Sequence, residues 1–362
     1  MIVFTLAAFL AYFLTPLLIR LARRFDLLDH PEGIKIHSRP IPFLGGIVIF
    51  LSFWGVVFAG LSVAHFLSQA IAQTANARAV LSGVLFLSQK LFWIFVGSAV
   101  IIAVGLLDDK YHWSPLQKLL GQIAAVLVLM SQGLSINLAE TLGLPGYLLT
   151  FVWVILIINA FNFIDSLDGH CVGIAIVSAV MLFWMTQIIH QALTALFLLA
   201  FIGALIGFFP YNFKTARIFL GDNGSLFLGY MMAAFTLLCR YYTPKATYAT
   251  AFIPLLLFGV PIYDTVSVIL VRLFRGVPPW NGDRNHFAHR LVKMGMSHRV
   301  AVIFSYLIAI TTGHIAILLT QVNWFGAVLI GIIFFFMIMI IALLEYYAVR
   351  RLRISEKQMS KE

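Results

Sequence analysis

The chain has 362 residues and a net charge of +10, with 62% hydrophobic and 10% charged residues. Soluble domains carry about 25% charged residues, so this composition excludes a soluble protein and predicts a polytopic membrane protein. The basic residues stand in short loops between apolar tracts, a pattern that indicates membrane orientation and gives no support to nucleic-acid binding.

Apolar tracts of spanning length follow one another along the chain. A helix needs about 20 apolar residues to cross a bilayer. The tracts are 1–19, 43–63, 91–107, 119–134, 147–164, two within 169–213, 223–240, 248–272 and two within 300–344. The two longest must fold back as hairpins, because either one as a single helix would measure about 67 Å. The sequence therefore predicts an all-α polytopic membrane protein of about eleven transmembrane helices, as a single domain over residues 1–362.

The charges predict how these helices are oriented. Of 24 basic residues, all lie in loops or the tail on the C-terminal side except Arg78, Lys90, Arg240 and Lys245. Since basic loops stay cytoplasmic, we predict an outer N-terminus and a cytoplasmic C-terminus. Of 14 acidic residues, only Glu140 falls on the outer side. Acidic residues carry little orientation information, so we interpret their clustering as a cytoplasmic active site.

A bend and a long loop are predicted near the end of the chain. Pro254, Gly259 and Pro261 interrupt the tract 248–272. Because proline removes a helical hydrogen bond, we expect the helix to bend there. The segment 273–299 is the largest cytoplasmic loop, and we expect it to carry an amphipathic helix.

The segment 159–170 places two carboxylates between long apolar tracts. Asp165 and Asp168 follow Asn162 by one turn, and no Asp, Glu, Lys or Arg occurs in 141–164 or 169–213. Burying a carboxylate near lipid is costly unless a cation or several donors receive it. The segment is therefore a candidate site, although a solvated helix end would explain one isolated Asp equally well.

Two further acidic motifs lie on the same predicted side. Asp108 and Asp109 end the third tract, and adjacent carboxylates need a nearby cation such as Mg²⁺, lysine or arginine. Asp222 opens the eighth tract between glycines that let the backbone approach a ligand, with Phe219 as a stacking surface. Solvated loop charges are the alternative for the pair, and a helix N-cap is the alternative for Asp222.

The fifth cytoplasmic loop combines histidines with an arginine. If the loop is helical, one face carries Asp283, His286, His289 and Arg290. Such a face suits a phosphate or sugar phosphate better than zinc, because arginine is not a metal ligand. A solvated amphipathic helix on the membrane surface is the alternative.

These motifs resemble those of the polyprenyl-phosphate N-acetylhexosamine-1-phosphate transferases, relatives of the phospho-N-acetylmuramoyl-pentapeptide transferase. Residues 35–46 are similar to the first-loop motif of the hexosamine branch, and 105–109 to the Asp-Asp motif. Residues 159–169 are similar to Asn-Ala-x-Asn-x-x-Asp-Gly-x-Asp-Gly, and 221–225 to Gly-Asp-x-Gly-Ser. The resemblance covers nearly the whole chain.

Three positions depart from the family motifs. Ser166 stands where the family has glycine, and His170 stands where an apolar residue is common. Ala288 occupies the middle of the loop-five motif, where a run such as His-x-His-His is usual. These departures concern substrate details more than the reaction.

The resemblance implies transfer of a sugar 1-phosphate from a UDP-N-acetylhexosamine to a polyprenyl phosphate, such as undecaprenyl phosphate, with release of UMP. This would be the first membrane step of a cell-envelope glycan pathway, in the lipid bilayer of the bacterial cytoplasmic membrane. The resemblance also implies Mg²⁺ as the cofactor, with Mn²⁺ as an alternative, and it allows a homodimer.

The resemblance also implies roles for particular residues. The catalytic group is Asp108, Asp109 and His289; the metal ligands are Asp222, Asn162 and Asp108; the substrate-binding group is Asp165, Asp168, Phe219, His286, Arg290 and Lys118. Asp109 is the position of a base, but we do not expect a strong base to be needed. A phosphate monoester has a second pKa near 6, so the lipid nucleophile is already ionised at neutral pH.

Two other classes stay open from the residues alone. An ion-coupled transporter also carries carboxylates within its membrane helices, but they tend to lie near the bilayer midplane. An intramembrane prenyltransferase with Asp-rich diphosphate sites is the enzymatic alternative, and it would form no UMP.

Overall fold

The computed structural model describes residues 1–31, 39–71, 75–136, 139–213, 215–241, 248–278 and 285–359, without side chains for 67–87, 140, 248 and 348–359. Within these ranges the chain is helical apart from one two-stranded antiparallel pairing, so the all-α prediction is confirmed. The chain divides into two compact units, Met1–Arg240 and Tyr241–Glu362, each described by itself.

The first unit contains nine helices and the strand pair in its described part. The helices are α1 (Ile2–Arg24), α2 (Gly45–Ile71), α3 (Ala75–Tyr111), α4 (Pro115–Met130), α5 (Ala139–Leu142), α6 (Leu144–Ile164), α7 (His170–Ile188), α8 (Ala192–Asn212) and α9 (Gly221–Leu238). The strands are β1 (Leu28–Asp29) and β2 (Ile41–Pro42), with Leu28 opposite Pro42.

Helix α9 is the centre of the first unit. Every residue from Asn223 to Leu237 is buried, and the helix packs against α2, α3 and α6. A helix that is apolar all round belongs in the interior of a bundle, which agrees with this position. The polar start of α9, at Asp222 and Asn223, is therefore held against the ends of the surrounding helices.

Small residues bring helices of this unit close together. Gly203 and Gly207 lie one turn apart on α8, facing α1. A methyl group at Gly203 would come within 2.3 Å of the Phe4 carbonyl oxygen, and one at Gly207 within 2.2 Å of the Ala8 carbonyl oxygen. Spacing of small residues by four lets membrane helices pack backbone to backbone, where apolar burial alone gives little driving force.

The second unit contains a short 3₁₀ helix (Tyr248–Phe252) and five α-helices in its described part. These are α10 (Ile253–Leu257), α11 (Gly259–Phe274), α12 (Phe287–Lys293), α13 (His298–Leu318) and α14 (Trp324–Met359). Helix α12 lies in the predicted cytoplasmic loop 273–299 and packs against α11, α13 and α14.

The predicted bend in the tract 248–272 is confirmed. The segments Ala249–Leu257 and Gly259–Phe274 meet at an angle of 75°. Pro261 has no N–H with which to bond the carbonyl of Leu257, so the helical ladder is interrupted there.

Eight helices within the described residues are long and apolar enough to cross a membrane, and the bent pair would be a ninth. The protein is therefore a polytopic membrane protein. Two further predicted tracts are also helical: α4, which has 16 residues, and α9, which begins with polar residues. The count of eleven spans and the orientation of the helices stay predictions.

Candidate active site

The carboxylate of Asp109 joins the end of α3 to the start of α9. Its Oδ1 accepts a hydrogen bond from the backbone N–H of Asp222, at 2.8 Å. Its Oδ2 accepts from the backbone N–H of Asn223 at 3.0 Å and from the Asn223 side chain at 2.7 Å. Gly221 has a φ of +72°, which turns the chain into the helix so that these N–H groups face Asp109. Asp109 therefore caps α9 and positions Asp222.

The ammonium group of Lys118 lies between two carboxylates. Its Nζ is 2.5 Å from Oδ2 of Asp108 and forms a second short contact with Oδ2 of Asp222. Lys118 reaches them from the first turn of α4, which is held by a complete capping box between Ser114 and Gln117. The sequence predicted a nearby cation for the adjacent Asp108 and Asp109; Lys118 supplies one to Asp108, whereas Asp109 accepts hydrogen bonds from Asp222 and Asn223.

Asn162 reaches the same carboxylate from α6. Its Nδ2 donates to Oδ1 of Asp222 at 2.8 Å and to the hydroxyl of Ser225 at 2.9 Å. The side chains of Asp108, Lys118, Asn162 and Asp222 thus converge, as the family resemblance implied. We call these four residues the carboxylate cluster. Asn162 presents its amide hydrogens to Asp222, so its contribution here is to orient that carboxylate.

The two aspartates after α6 have different surroundings. Asp165 is half-buried at the end of α6, and burial raises the pKa of its carboxyl well above the usual range, helped by the charges of Asp222, Asp109 and Asp168. Asp168 is exposed, and its Oδ2 accepts a hydrogen bond from the backbone N–H of Ala216 at 2.9 Å. Asp168 therefore also fixes the course of the loop before α9.

Phe219 is held between the first loop and α9. Its N–H donates to the Pro42 carbonyl at 2.7 Å, and its own carbonyl accepts from the N–H of Gly45 at 3.1 Å. The residue is partly exposed, which agrees with the prediction of a stacking surface. The earlier part of the predicted first-loop motif, residues 35–38, lies outside the described residues.

Loop five is built differently from the predicted helix. Helix α12 begins at Phe287, with His286 as the residue before it, so His286 does not share a helical face with His289 and Arg290. Asp283 lies outside the described residues. The one-face prediction is therefore wrong for His286, because this residue has extended backbone before the first helical residue and its ring contacts the buried carboxylate of Asp264.

Arg290 makes internal contacts along its whole guanidinium group. Nε donates to Oε1 of Glu345 at 2.8 Å, one terminal nitrogen donates to the Ser267 hydroxyl at 2.7 Å, and the other to the Asn285 carbonyl at 2.5 Å. The residue is 7% exposed. These contacts make it a structural anchor of α12, a role that the sequence did not predict. His289 is also buried on this helix, whereas Lys293 is exposed.

Sequence reasoning missed four residues that organise these contacts: Asn223, Ser225, Asp264 and Glu345. Asp264 carried a signal, since it is the single carboxylate in the tract 248–272. A charge within an apolar tract calls for a specific partner. Glu345 looked like an ordinary charge at the end of the last tract.

The donor set of the carboxylate cluster fits a magnesium ion with few protein ligands. No group of three His, Cys, Asp or Glu side chains within the described residues is arranged around a metal position. Mg²⁺ is usually bound through one or two carboxylates, with water and substrate phosphates completing its shell. Asp108 and Asp222 meet that requirement, because both carboxylates already contact the ammonium group of Lys118.

A helical membrane bundle whose carboxylates, lysine and amide meet at the start of a buried helix defines a polytopic membrane enzyme. The sequence model of glycosyl transferase family 4 matches residues 91–240, which contain the whole carboxylate cluster. A relative in Bacillus subtilis is 33% identical over 90% of the chain and 86% of its own length. The chain belongs to glycosyl transferase family 4. It is therefore a transferase, and neither alternative class is needed.

The relatives carry related names. The Bacillus subtilis protein is named a probable undecaprenyl-phosphate N-acetylglucosaminyl 1-phosphate transferase. A decaprenyl-phosphate N-acetylglucosaminephosphotransferase of Mycobacterium leprae is 30% identical over 83% of the chain and 79% of its own length. An undecaprenyl-phosphate alpha-N-acetylglucosaminyl 1-phosphate transferase of Escherichia coli K12 is 26% identical over 83% of the chain and 78% of its own length.

Proposed function

We propose that the protein transfers N-acetylglucosamine 1-phosphate from UDP-N-acetylglucosamine to a polyprenyl phosphate, releasing UMP. The observation that carries this proposal is the carboxylate cluster at the start of α9, where the ammonium group of Lys118 lies between Asp108 and Asp222. The relatives named above, which use undecaprenyl or decaprenyl phosphate, support the acceptor class and the sugar.

The reaction joins two phosphates. An oxygen of the polyprenyl phosphate attacks the phosphorus attached to the sugar, and the bond from that phosphorus to the bridging oxygen of the diphosphate breaks. UMP leaves with the bridging oxygen. The nucleophile is ionised at neutral pH, so no residue need remove a proton from it. Asp109 is therefore proposed to act through the position of Asp222.

Both reactants are anionic, and the cluster must offset their repulsion. We infer that Asp108 and Asp222 would hold Mg²⁺, or Mn²⁺ in its place, with Asn162 orienting Asp222. When bound, the ion would neutralise charge on the diphosphate as the bond breaks. Lys118 would then donate to a phosphate oxygen, because its ammonium already lies beside both carboxylates.

The remaining roles follow the family resemblance. Asp165, Asp168 and Phe219 are proposed to bind the uridine, and His286 and His289 the sugar. Arg290 is proposed to hold α12 in place, since its donors are used by Glu345, Ser267 and Asn285. The proposed setting is the cytoplasmic face of a bacterial inner membrane, at the first membrane step of a cell-envelope glycan. A homodimer stays a prediction.

A membrane assay tests the proposal. Membranes carrying the protein are incubated with undecaprenyl phosphate and a panel of UDP-sugars, and UMP is measured. We expect UMP with UDP-N-acetylglucosamine in the presence of Mg²⁺, and none with UDP-N-acetylmuramoyl-pentapeptide.

The matched control is Asp222→Asn, which keeps size and removes the charge that a divalent ion needs. It should fold normally and form no UMP. Efficient use of the pentapeptide donor, or normal activity of this variant with unchanged Mg²⁺ dependence, would contradict the proposal.

A further inference from the structure

Gln122 and Asn159 form a reciprocal pair of amides between α4 and α6. Nδ2 of Asn159 donates to Oε1 of Gln122 at 2.7 Å, and Nε2 of Gln122 donates to Oδ1 of Asn159 at 3.3 Å. Gln122 is 1% exposed, and Nδ2 of Asn159 also donates to the Ile155 carbonyl at 2.8 Å. Each amide therefore satisfies the polar groups of the other inside the first unit, where a polar group without a partner is costly.

This pair lies one helical turn from the carboxylate cluster on both helices. Lys118 precedes Gln122 by four residues on α4, and Asn162 follows Asn159 by three residues on α6. Residues three or four apart lie on one face of a helix. Lys118 and Asn162 both contact the carboxylate of Asp222. The amide pair is therefore a second layer of contacts, and it joins the two helices that supply the first.

The cluster depends on the register between α4 and α6. A shift of one residue along a helix moves a side chain by about 1.5 Å and turns it by about 100°. Asn162 lies 2.8 Å from Asp222, and Lys118 lies 2.5 Å from Asp108, so such a shift would break these contacts. In lipid, apolar side chains give little preference for one register, whereas hydrogen bonds between polar side chains of two helices select one.

We propose that Gln122 and Asn159 are positioning residues whose amide pair sets the register between α4 and α6. They act through Lys118 and Asn162, which this register brings to the carboxylate of Asp222. The effect on turnover rests on the proposed function, whereas the register itself is a property of the first unit alone.

Replacing both amides by leucine separates positioning from stability. Gln122→Leu alone leaves Oδ1 of Asn159 without its donor, so the Tm should fall. The double variant Gln122→Leu/Asn159→Leu leaves neither polar group behind, and replacing both partners of a hydrogen bond by apolar groups is nearly neutral. Its Tm should therefore return close to the native value. Its kcat/KM for UDP-N-acetylglucosamine should stay about ten- to a hundredfold below native, because the charged contacts of Lys118 are no longer held in place.

The matched control is Trp54→Phe, which removes a buried hydrogen bond between α2 and α3. Nε1 of Trp54 donates to the Ser98 hydroxyl at 3.0 Å. Ser98 precedes Asp108 by ten residues on α3, which is about 15 Å along the helix, so this bond lies away from the carboxylate cluster. Trp54→Phe should lower the Tm and keep the native kcat/KM.

A zero-length cross-link tests the register without any turnover. A carbodiimide joins a lysine to a carboxylate only where the two groups are already in contact. Mass spectrometry of the full-length protein, treated in detergent micelles below the lowest Tm, identifies the joined residues. The native protein should form an amide bond from Lys118 to Asp108 or Asp222, since it contacts both. The yield should fall in the double variant and stay at the native level in Trp54→Phe.

Each outcome decides the inference. A double variant with native Tm and native kcat/KM overturns the positioning role, and so does a native yield of the cross-link. If the double variant remains less stable than the native protein, an equal loss of kcat/KM in Trp54→Phe overturns the role.

Two further arms keep the test decisive. If neither leucine variant folds, Gln122→Asn takes their place, because it keeps the amide and shortens its reach by one methylene. Native kcat/KM and a native cross-link yield in that variant overturn the role. If the native protein turns over no UDP-sugar, the proposed function fails, whereas the cross-link still decides the register.

Discussion

Asp109 and Asn223 form two hydrogen bonds through a single oxygen, since Oδ2 of Asp109 accepts from both the backbone and the side chain of Asn223, at 3.0 and 2.7 Å. The other oxygen receives the backbone N–H of Asp222. A carboxylate engaged by three donors at a helix start is a cap, and its lone pairs are directed at α9. This arrangement separates Asp109 from its neighbour Asp108, which contacts Lys118.

The first prediction is that Asp109→Asn destabilises the protein. One of its two carboxylate acceptors becomes a donor that faces N–H groups of α9. An unsatisfied or opposed buried donor costs about 1–3 kcal/mol, so the Tm should fall together with turnover. Thermal unfolding and UMP release are measured on the same preparation. A base in the reaction would behave otherwise: turnover would vanish while the Tm stayed at the native value.

The second prediction concerns Lys118→Met, which removes the cation between Asp108 and Asp222. Losing a charged contact to a phosphate should lower kcat/KM by roughly ten- to a hundredfold. The two carboxylates would also repel each other, so added Mg²⁺ should raise the Tm of the variant more than that of the native protein. The measurement is the Tm as a function of Mg²⁺ concentration. An equal response of the two proteins would argue against a shared cation position.

The third prediction compares two basic residues of α12. Arg290→Ala leaves Glu345 buried without its charged partner, and breaking such a pair costs about 3–5 kcal/mol. Lys293 is exposed, so Lys293→Ala should stay within about 0.5 kcal/mol of the native stability. Urea or thermal unfolding distinguishes the two. A variant Arg290→Ala with native stability and a raised KM would show that the arginine binds the donor instead.

The fourth prediction tests the close packing of α3 on the start of α9. A methyl group at Gly105 would come within 2.3 Å of the Asn223 backbone, which cannot move without displacing Asp222. We therefore expect Gly105→Ala to cost about 1–3 kcal/mol and to lower turnover. The control is Gly60→Ala in α2, where no described atom beyond the neighbouring backbone of that helix lies within 4 Å of the added methyl group. It should keep full turnover and gain up to about 1 kcal/mol from helix propensity.

The sequence by itself determined the class of protein, the helical tracts and the bend at Pro254, Gly259 and Pro261. These properties depend on composition, on the length of apolar runs and on the chemistry of proline, all of which are local. The cost of carboxylates beside apolar tracts pointed to the segments of Asp108 and Asp222, and the family resemblance implied that Asn162 and Lys118 belong to the same site.

Only the tertiary structure decided which partner each charged group takes. Asp109 and Asn223 lie 114 positions apart in the chain, and Arg290 and Glu345 lie 55 apart. A hydrogen bond forms only when the donor and acceptor atoms lie within a few tenths of an ångström of about 3 Å. The packing of α9 and α12 sets these distances, and a pattern of residue types does not. For that reason the sequence did not predict that Asp109 caps α9 or that Arg290 anchors α12, and the reacting and binding roles inferred for them stay predictions.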